Sequence, residues 1–98
     1  MNKPIILFFS SLNCHPCKKT YEALMEIPII NLFTINKIDS CQQEDLVNKY
    51  EITSVPTLIF LDLKENEKFR IEKAKNKEFL ETVLNSHYDN LIAELNDY

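Results

Sequence analysis

Blocks of hydrophobic and polar positions follow one another along this chain and predict a series of short strands and helices. Residues 4–10 form an apolar run without polar alternation, which is typical of a strand buried on both faces. After a turn at residues 14–16, apolar side chains recur at helical spacing until Pro28, which cannot continue a helix. Residues 32–38 predict a second strand, and the most apolar stretch, residues 55–63, predicts a third.

The remaining predicted elements are a second helix, an edge strand and a long last helix. Ser40 and Gln43 have the spacing of a capping box, which predicts the start of the second helix with Cys41 in its first turn. Apolar and charged residues alternate over residues 67–73, as expected for an edge strand with one solvated face. An apolar stripe at helical spacing over about residues 76–96 predicts the last helix.

This order, β-α-β-α-β-β-α, predicts an α/β fold with one four-stranded mixed sheet and helices on both faces. The first three strands alternate with helices, so we expect them to be parallel and joined by right-handed crossovers. The fourth strand follows the third through a tight turn at residues 64–66, so we expect it to be antiparallel. A length of 98 residues predicts a single domain over residues 1–98.

Composition excludes several classes of function. The chain has no glycine, so loops that bind phosphates or dinucleotides through glycine are excluded, and Asn66 is our candidate for a left-handed turn position. A net charge of −4 without a basic stripe disfavours nucleic-acid binding, and no apolar run is long enough to span a membrane. Three cysteines do not indicate a domain held together by disulfides, so we expect a reduced, cytoplasmic protein.

The strongest chemical signal is the pair Cys14 and Cys17, which follows a buried strand and opens a helix. A helix N-terminus offers unpaired N–H groups and positive dipole charge, and both favour the thiolate. We therefore expect Cys14 to be the exposed nucleophile and Cys17 the buried resolving thiol. Two alternatives stay open: inert core thiols, or half of a zinc site that would need ligands from among His15, Cys41 and His87.

A second motif places a proline at the entry of a central strand, where it costs a hydrogen bond of the ladder. This motif is Ser54-Val55-Pro56-Thr57. Together with Cys14-His15-Pro16-Cys17-Lys18 it resembles the two signatures of the thioredoxin family. The order of elements also resembles that family, without its first strand and helix, and the resemblance covers the whole chain.

The resemblance implies a thioredoxin-like fold and a thiol–disulfide oxidoreductase that reduces protein disulfides. The catalytic residues would be Cys14, Cys17, His15 and Pro16. The redox group would be the disulfide between Cys14 and Cys17, without a further cofactor or a metal. Protein disulfides are the implied substrates, and a thioredoxin-reductase-type protein is the implied electron donor of a monomeric enzyme.

The resemblance also implies a substrate-binding segment. The bond between Val55 and Pro56 would be cis and packed against the cysteine pair. Backbone groups of Val55 would pair with the client chain like an added strand, and Pro56 and Thr57 complete the segment. Two alternatives to a reductase stay open: an oxidase, isomerase or accessory protein for exported clients, and a binding module without turnover.

Three positions depart from the family pattern. His15 stands where typical reductases of the family have glycine, and a protonated imidazole there would stabilise the adjacent thiolate and make the couple more oxidising. Phe8 replaces a buried acid that would help to take the proton from the resolving thiol, and Asn13 replaces a tryptophan. We therefore expect a reduction potential above that of thioredoxin and a resolving step that works without a carboxylate.

Overall fold

Four strands form one mixed sheet in the computed structural model, which describes residues 3–93. The elements along the chain are β1 (Ile5–Ser10), α1 (His15–Met25), a 3-10 helix (Pro28–Leu32), β2 (Thr34–Asp39), α2 (Glu44–Lys49), β3 (Thr57–Leu61), β4 (Glu67–Ile71) and α3 (Lys77–Leu91). The strands are ordered β2-β1-β3-β4 across the sheet. The predicted order of elements is confirmed, and the 3-10 helix is an addition to it.

Strand β1 is buried on both faces because its side chains enter two hydrophobic clusters. Ile6 and Phe8 belong to the cluster that also holds buried leucines of α1 and α3. Leu7 and Phe9 belong to the cluster on the other face, against which side chains of α2 pack. Alternate residues of a strand point to opposite faces, so one apolar run supplies both cores. Helices therefore cover both faces of the sheet, as predicted.

The direction of β3 differs from our expectation. Strand β2 is parallel to β1, but β3 is antiparallel to it, with Phe9 opposite Thr57 and Ile5 opposite Leu61. Helix α2 has six residues and rises about 9 Å, whereas a strand of six residues spans about 20 Å. The helix does not carry the chain back along the sheet, and β3 starts at the edge where β2 ends. Strand β4 is antiparallel to β3, as predicted.

The predicted capping box of α2 is wrong. Gln43 precedes the helix, and its side chain does not cap it. Instead, Oδ1 of Asp39 accepts the N–H of Cys41 at 2.8 Å, in the manner of an Asx turn. This bond holds residues 40–42 in a turn, so Ser40 lies outside the helix. Cys41 is exposed in that turn and does not lie in the first turn of the helix.

Other boundaries shift by a few residues. Helix α1 ends at Met25, and Pro28 begins a 3-10 turn whose central residue, Ile30, is buried in the core. This turn includes Leu32, which was assigned above to the second strand, and that strand begins only at Thr34. Strands β3 and β4 are shorter than predicted. The predicted end of the last helix at residues 94–96 lies outside the described residues.

The turn between β3 and β4 is built without glycine. Glu65, and not Asn66, adopts the left-handed conformation with φ of 65°, and Glu51 does so elsewhere with φ of 53°. Asp62 is 1% exposed, and its Oδ1 accepts the N–H groups of Lys64 and Asn66, each at 2.9 Å. The carbonyl of Asn66 accepts the N–H of Asp62 at 3.0 Å and so continues the ladder. Because Asn66 already pairs with Asp62 in the ladder, the left-handed residue lies one position earlier, at Glu65.

The Asp62 carboxylate is stabilised as an ion. Burial alone would raise its pKa, but the N–H groups of Asn66 and Lys64 and the ammonium of Lys68 outweigh burial and lower it. Nζ of Lys68 lies 3.6 Å from Oδ2. Because the folded-state pKa is lowered, ionised Asp62 stabilises the fold above its unfolded-state pKa. This stabilisation is lost as the pH falls through the folded-state pKa.

We expect Asp62→Ala to lower the free energy of unfolding at neutral pH by about 2 kcal/mol, because two bonds to a charged acceptor are lost. Asp62→Asn should lose less, and its stability should depend less on pH below about pH 4. Urea unfolding at several pH values measures both effects. Glu67→Gln is the control, since this carboxylate pairs with Arg70 at a partly exposed site and should contribute less than about 1 kcal/mol. Equal stability of Asp62→Ala and the unchanged protein would contradict the assignment.

Candidate active site

The two cysteines of the motif lie where β1 leads into α1. They are joined in a disulfide with Cα atoms 5.2 Å apart. Cys14 is the N-cap residue of α1 and is half-buried, and its Sγ accepts the N–H of Cys17 at 3.1 Å. Cys17 is only 3% exposed. Cys14 is therefore the more accessible residue of the pair, at the start of the helix, and Cys17 is buried one turn further on.

His15 and Pro16 occupy the first positions of α1, and both are exposed. Proline suits this place because the first N–H groups of a helix have no partner within the helix. The first turn of α1, all of whose residues are described, contains no acidic side chain. The positive end of the helix dipole therefore acts on Cys14 without a neighbouring carboxylate in that turn.

The loop before β3 lies at the same end of the sheet as the cysteine pair. Strand β3 begins at Thr57, which pairs with Phe9 near the end of β1. The peptide bond between Val55 and Pro56 is cis, and Pro56 is buried. The register therefore brings Pro56 level with the end of β1, from which the chain continues through a short loop to Cys14.

Two hydroxyl groups hold this loop. Thr57 is buried, and its Oγ1 donates to the carbonyl of Ser54 at 2.7 Å. Oγ of Ser54 donates to the carbonyl of Glu72, just beyond β4, at 3.3 Å. The loop is thus tied to two strands at once. The Thr57 side chain supports the loop from inside, whereas Val55 is half-buried and reaches the surface.

A cavity of about 570 Å³ opens beside Cys17 between α1 and β2. Phe8, which replaces the acid of the family pattern, lines it as a buried ring and meets Tyr21 edge to face at 5.4 Å. Nζ of Lys37 lies over the Tyr21 ring, 4.2 Å from its centroid. This side of Cys17 therefore offers an aromatic pair and a cation where the family pattern has a carboxylate.

Metal binding by the cysteine pair finds no support in the described part of the chain. Within residues 3–93, no group of three or more His, Cys, Asp or Glu side chains is placed to hold a metal ion. Cys41 is exposed and carries no disulfide. Over the same residues, none of the helices has the length and apolar character needed to cross a membrane.

Comparison with known proteins gives the family. The thioredoxin family model matches residues 1–86. A thioredoxin of Chlamydia pneumoniae is 34% identical over 88 residues, which cover 85% of this chain and 81% of that protein. The chain belongs to the thioredoxin family.

Solved thioredoxin structures have the same fold. The thioredoxin of Fasciola hepatica superposes with a TM-score of 0.74 at 25% identity, over 88% of this chain and 82% of that one. The germline-specific thioredoxin Deadhead of Drosophila melanogaster gives a TM-score of 0.77 at 24% identity, over 87% and 81%. The predicted thioredoxin-like fold is confirmed. The close Cys14–Cys17 pair fits the Cys-x-x-Cys site of the thioredoxin family, whose chemistry is thiol–disulfide exchange.

Some residues of this thioredoxin site were not predicted from the sequence. Tyr21 follows Cys17 by four residues, a spacing that places both on one face of a helix, but nothing in the sequence indicated Lys37. Lys37 comes beside Tyr21 because it stands opposite Phe8 in the register between β1 and β2. Spacing along a sequence does not determine such a register. The bond from Ser54 to the Glu72 carbonyl depends in the same way on a register, that between the consecutive strands β3 and β4.

We expect Thr57→Val to lower the free energy of unfolding by about 1 kcal/mol, because the shape is kept while one buried hydrogen bond is lost. Amide hydrogen exchange in residues 53–55 should become faster, since the loop loses one of its two ties. Thr82→Val is the control, because Thr82 makes a similar bond to the Glu78 carbonyl at 3.0 Å on an exposed helix face. If Thr57→Val left both quantities unchanged, the hydroxyl would not hold the loop.

Proposed function

We propose that this thioredoxin-family protein reduces disulfides of client proteins, with Cys14 as the nucleophile and Cys17 as the resolving thiol. The asymmetry of the pair carries the proposal, since Cys14 is accessible at the start of α1 and Cys17 is buried. The N–H of Cys17 already points to the Cys14 sulfur at 3.1 Å. The same N–H and the helix dipole would stabilise a thiolate on Cys14 after reduction.

The proposed reaction is a pair of thiol–disulfide exchanges. The Cys14 thiolate attacks one sulfur of the client disulfide, and the other client sulfur leaves as a thiolate. Cys17 then loses its proton and attacks the Cys14 sulfur, which releases the second client sulfur as a thiolate. Two electrons have passed to the client, and the protein holds the Cys14–Cys17 disulfide. A thioredoxin-reductase-type donor would return the two electrons.

We assign client binding to the loop before β3. Val55 is half-buried at the edge of the sheet that carries the cysteine pair, and an extended client chain can bind its backbone like an added strand. Leu12 adds apolar surface, because its side chain is 79% exposed in the loop that leads to Cys14. Pro56 and Thr57 are buried and give this segment its shape.

The proposal includes a reducing, cytoplasmic setting and a monomeric protein. Three cysteines, two of them in one reactive pair, are typical of a chain that does not depend on disulfides for stability. The fold is held by two hydrophobic clusters that pack on either face of the sheet. The pair is therefore available for turnover, because its reduction leaves both clusters in place.

We expect the protein to accelerate the reduction of insulin by dithiothreitol, measured as the onset of precipitation. Cys14→Ser should abolish the acceleration, because it removes the attacking sulfur. Cys41→Ser is the matched control, since Cys41 is an exposed cysteine outside the pair, and it should retain full activity. A protein without any acceleration would favour the alternative of a binding module without turnover.

A separate trapping experiment, carried out without dithiothreitol, distinguishes the roles of the two cysteines. Cys17→Ser should retain clients as mixed disulfides on Cys14 that dithiothreitol releases, because the resolving attack is blocked. The double variant with Cys14→Ser should retain none. Retention that survives the loss of Cys14 would show that the two roles are assigned wrongly.

His15 bears on the direction of exchange. A positive imidazole beside Cys14 would stabilise the thiolate and hence the reduced protein. We expect a reduction potential above the value of about −270 mV for thioredoxin, and His15→Gly should lower it. Equilibration with glutathione measures both potentials.

His87→Gln is the control, because His87 packs on Phe69 with ring centroids 4.1 Å apart and lies outside the cysteine motif. A reduction potential at or below that of thioredoxin would contradict this role of His15. A potential of about −120 mV would favour the oxidase alternative.

A further inference from the structure

Thr20 is a buried polar residue that the proposed reaction does not yet use. Its side chain is 2% exposed, and its Oγ1 has no hydrogen-bond partner among residues 3–93. A buried hydroxyl without a partner costs about 1–3 kcal/mol, and such groups are uncommon in folded proteins. The disulfide-bonded protein therefore keeps an unfavourable group in its core, which suggests that the hydroxyl is used in another state.

The position of Thr20 points to that state. Cys17, Thr20 and Leu24 are the buried residues of α1 and form its inner face. Side chains three positions apart on a helix are neighbours, with Cβ atoms about 5–6 Å apart. The Cα–Cβ bonds of a helix also lean toward its N-terminus, so the Thr20 side chain leaves the backbone toward the turn that holds Cys17.

Another helical threonine of this chain behaves differently. Thr82 on α3 donates to the carbonyl of Glu78, four residues earlier, at 3.0 Å. The equivalent acceptor for Thr20 is the carbonyl of Pro16, and the Thr20 hydroxyl does not bond to it. The usual local partner of a helical threonine is therefore not used, and the hydroxyl is free to bond to a nearby acceptor.

We propose that Thr20 is a positioning residue for Cys17 and that its hydroxyl donates a hydrogen bond to the Cys17 sulfur when the disulfide is opened. This inference rests on the proposed function and deepens it. In the disulfide, the Cys17 sulfur is bonded to Cys14 and is a weak acceptor. As a thiolate it is charged and accepts a much stronger bond. Once released from Cys14, the sulfur can move toward Thr20.

The bond would act in the resolving step. The Cys17 thiol gives its proton to water, and the Thr20 O–H stabilises the thiolate that remains. That thiolate attacks the Cys14 sulfur, the bond between Cys14 and the client sulfur breaks, and the client leaves as a thiolate that takes a proton from water. Phe8 has no carboxylate to take the proton, and a lower cost of ionising Cys17 is the assistance that the Thr20 hydroxyl can give.

Other charges near Cys17 have to be kept constant in a test of this bond. The titratable side chains that share the cavity wall with Cys17 are Lys18, Tyr21 and Glu22 on α1 and Lys37 and Asp39 on β2. Strand β1 and the loop after it contribute uncharged residues, namely Phe8, Ser10, Ser11 and Leu12. His15 lies two positions before Cys17 and is exposed. Substitutions at Thr20 change none of these groups.

The test measures the ionisation of Cys17 from its thiolate absorbance against pH. Cys14→Ala combined with Cys41→Ala serves as the background, because Cys17 is then the one remaining thiol and alanine introduces no hydroxyl that could replace Thr20. We expect Thr20→Val to reduce the ionisation constant about tenfold, which raises the pKa of Cys17 by about one unit. Thr20→Ser keeps the hydroxyl and should retain the original pKa. An unchanged pKa in Thr20→Val, or the same rise in Thr20→Ser, would overturn the proposal.

The two oxidation states give a second readout in the protein with both cysteines. Thr20→Val should leave the oxidised form as stable as before or more stable, because the hydroxyl lost has no bond there, and it should destabilise the reduced form at alkaline pH. Thr82→Val should affect both forms equally. Equal destabilisation of both forms by Thr20→Val would mean a purely structural hydroxyl and would sink the idea.

The rate of the resolving step gives a third readout. Release of a client from its mixed disulfide should slow about threefold in Thr20→Val, since the smaller thiolate fraction is partly offset by greater nucleophilicity. The proposed function and the role of Thr20 fail in different ways. A pKa shift without insulin reduction would contradict the proposed function alone, and insulin reduction without a pKa shift would contradict the role of Thr20 alone.

Discussion

Strands β1 and β3 pair antiparallel in the middle of the sheet, and this pairing decides which loops meet. Phe9 stands opposite Thr57, so the end of β1 and the start of β3 lie at one edge. The cysteine pair follows β1, and Pro56 precedes β3, so both motifs emerge at that edge. A β3 in the opposite direction would begin about 20 Å away, at the other end of a six-residue strand. The Cys-x-x-Cys loop and the proline loop would then have no common surface.

Three buried polar side chains of the described residues divide the remaining tasks along the sheet. Thr57 holds the proline loop at the end of the sheet where the cysteine pair lies. Asp62 holds the turn between β3 and β4 at the opposite end of the strands. Each is bonded to backbone groups that would otherwise need another partner. Thr20 differs from both, because no bond to its side chain is formed among the described residues, and it lies one turn of α1 beyond Cys17. The buried carboxylate among the described residues thus serves the structure, and it follows the end of β3 that is opposite the proline loop.

The order of elements, the two-faced burial of β1 and the position of the cysteine pair follow from local patterns and were predictable. The direction of β3 was not, because it depends on the path of residues 40–56 rather than on any pattern within a strand. We expected a β3 parallel to β1 and also a proline loop beside the cysteines. These two expectations were incompatible, since a proline loop beside the cysteines requires an antiparallel β3. The predictions for the start of α2 and for the left-handed residue of the turn between β3 and β4 were wrong for a related reason. Side-chain bonds of Asp39 and Asp62 to nearby N–H groups decided where a helix began and which residue became left-handed.

In the proposed mechanism, the replacement of the buried acid by Phe8 changes how the proton can leave the resolving thiol, Cys17. An acid at that place can take the proton from Cys17, whereas an aromatic ring cannot. Phe8 packs on Tyr21, and the ammonium of Lys37 lies over the same ring. The carboxylates that share the cavity beside Cys17, those of Glu22 and Asp39, lie on its wall and not at the position of Phe8. In the proposed reaction the proton of Cys17 leaves through water, for which this cavity gives a route. The positive end of α1 and the Thr20 hydroxyl would then stabilise the Cys17 thiolate, so the proposed resolving step follows the ionisation of Cys17.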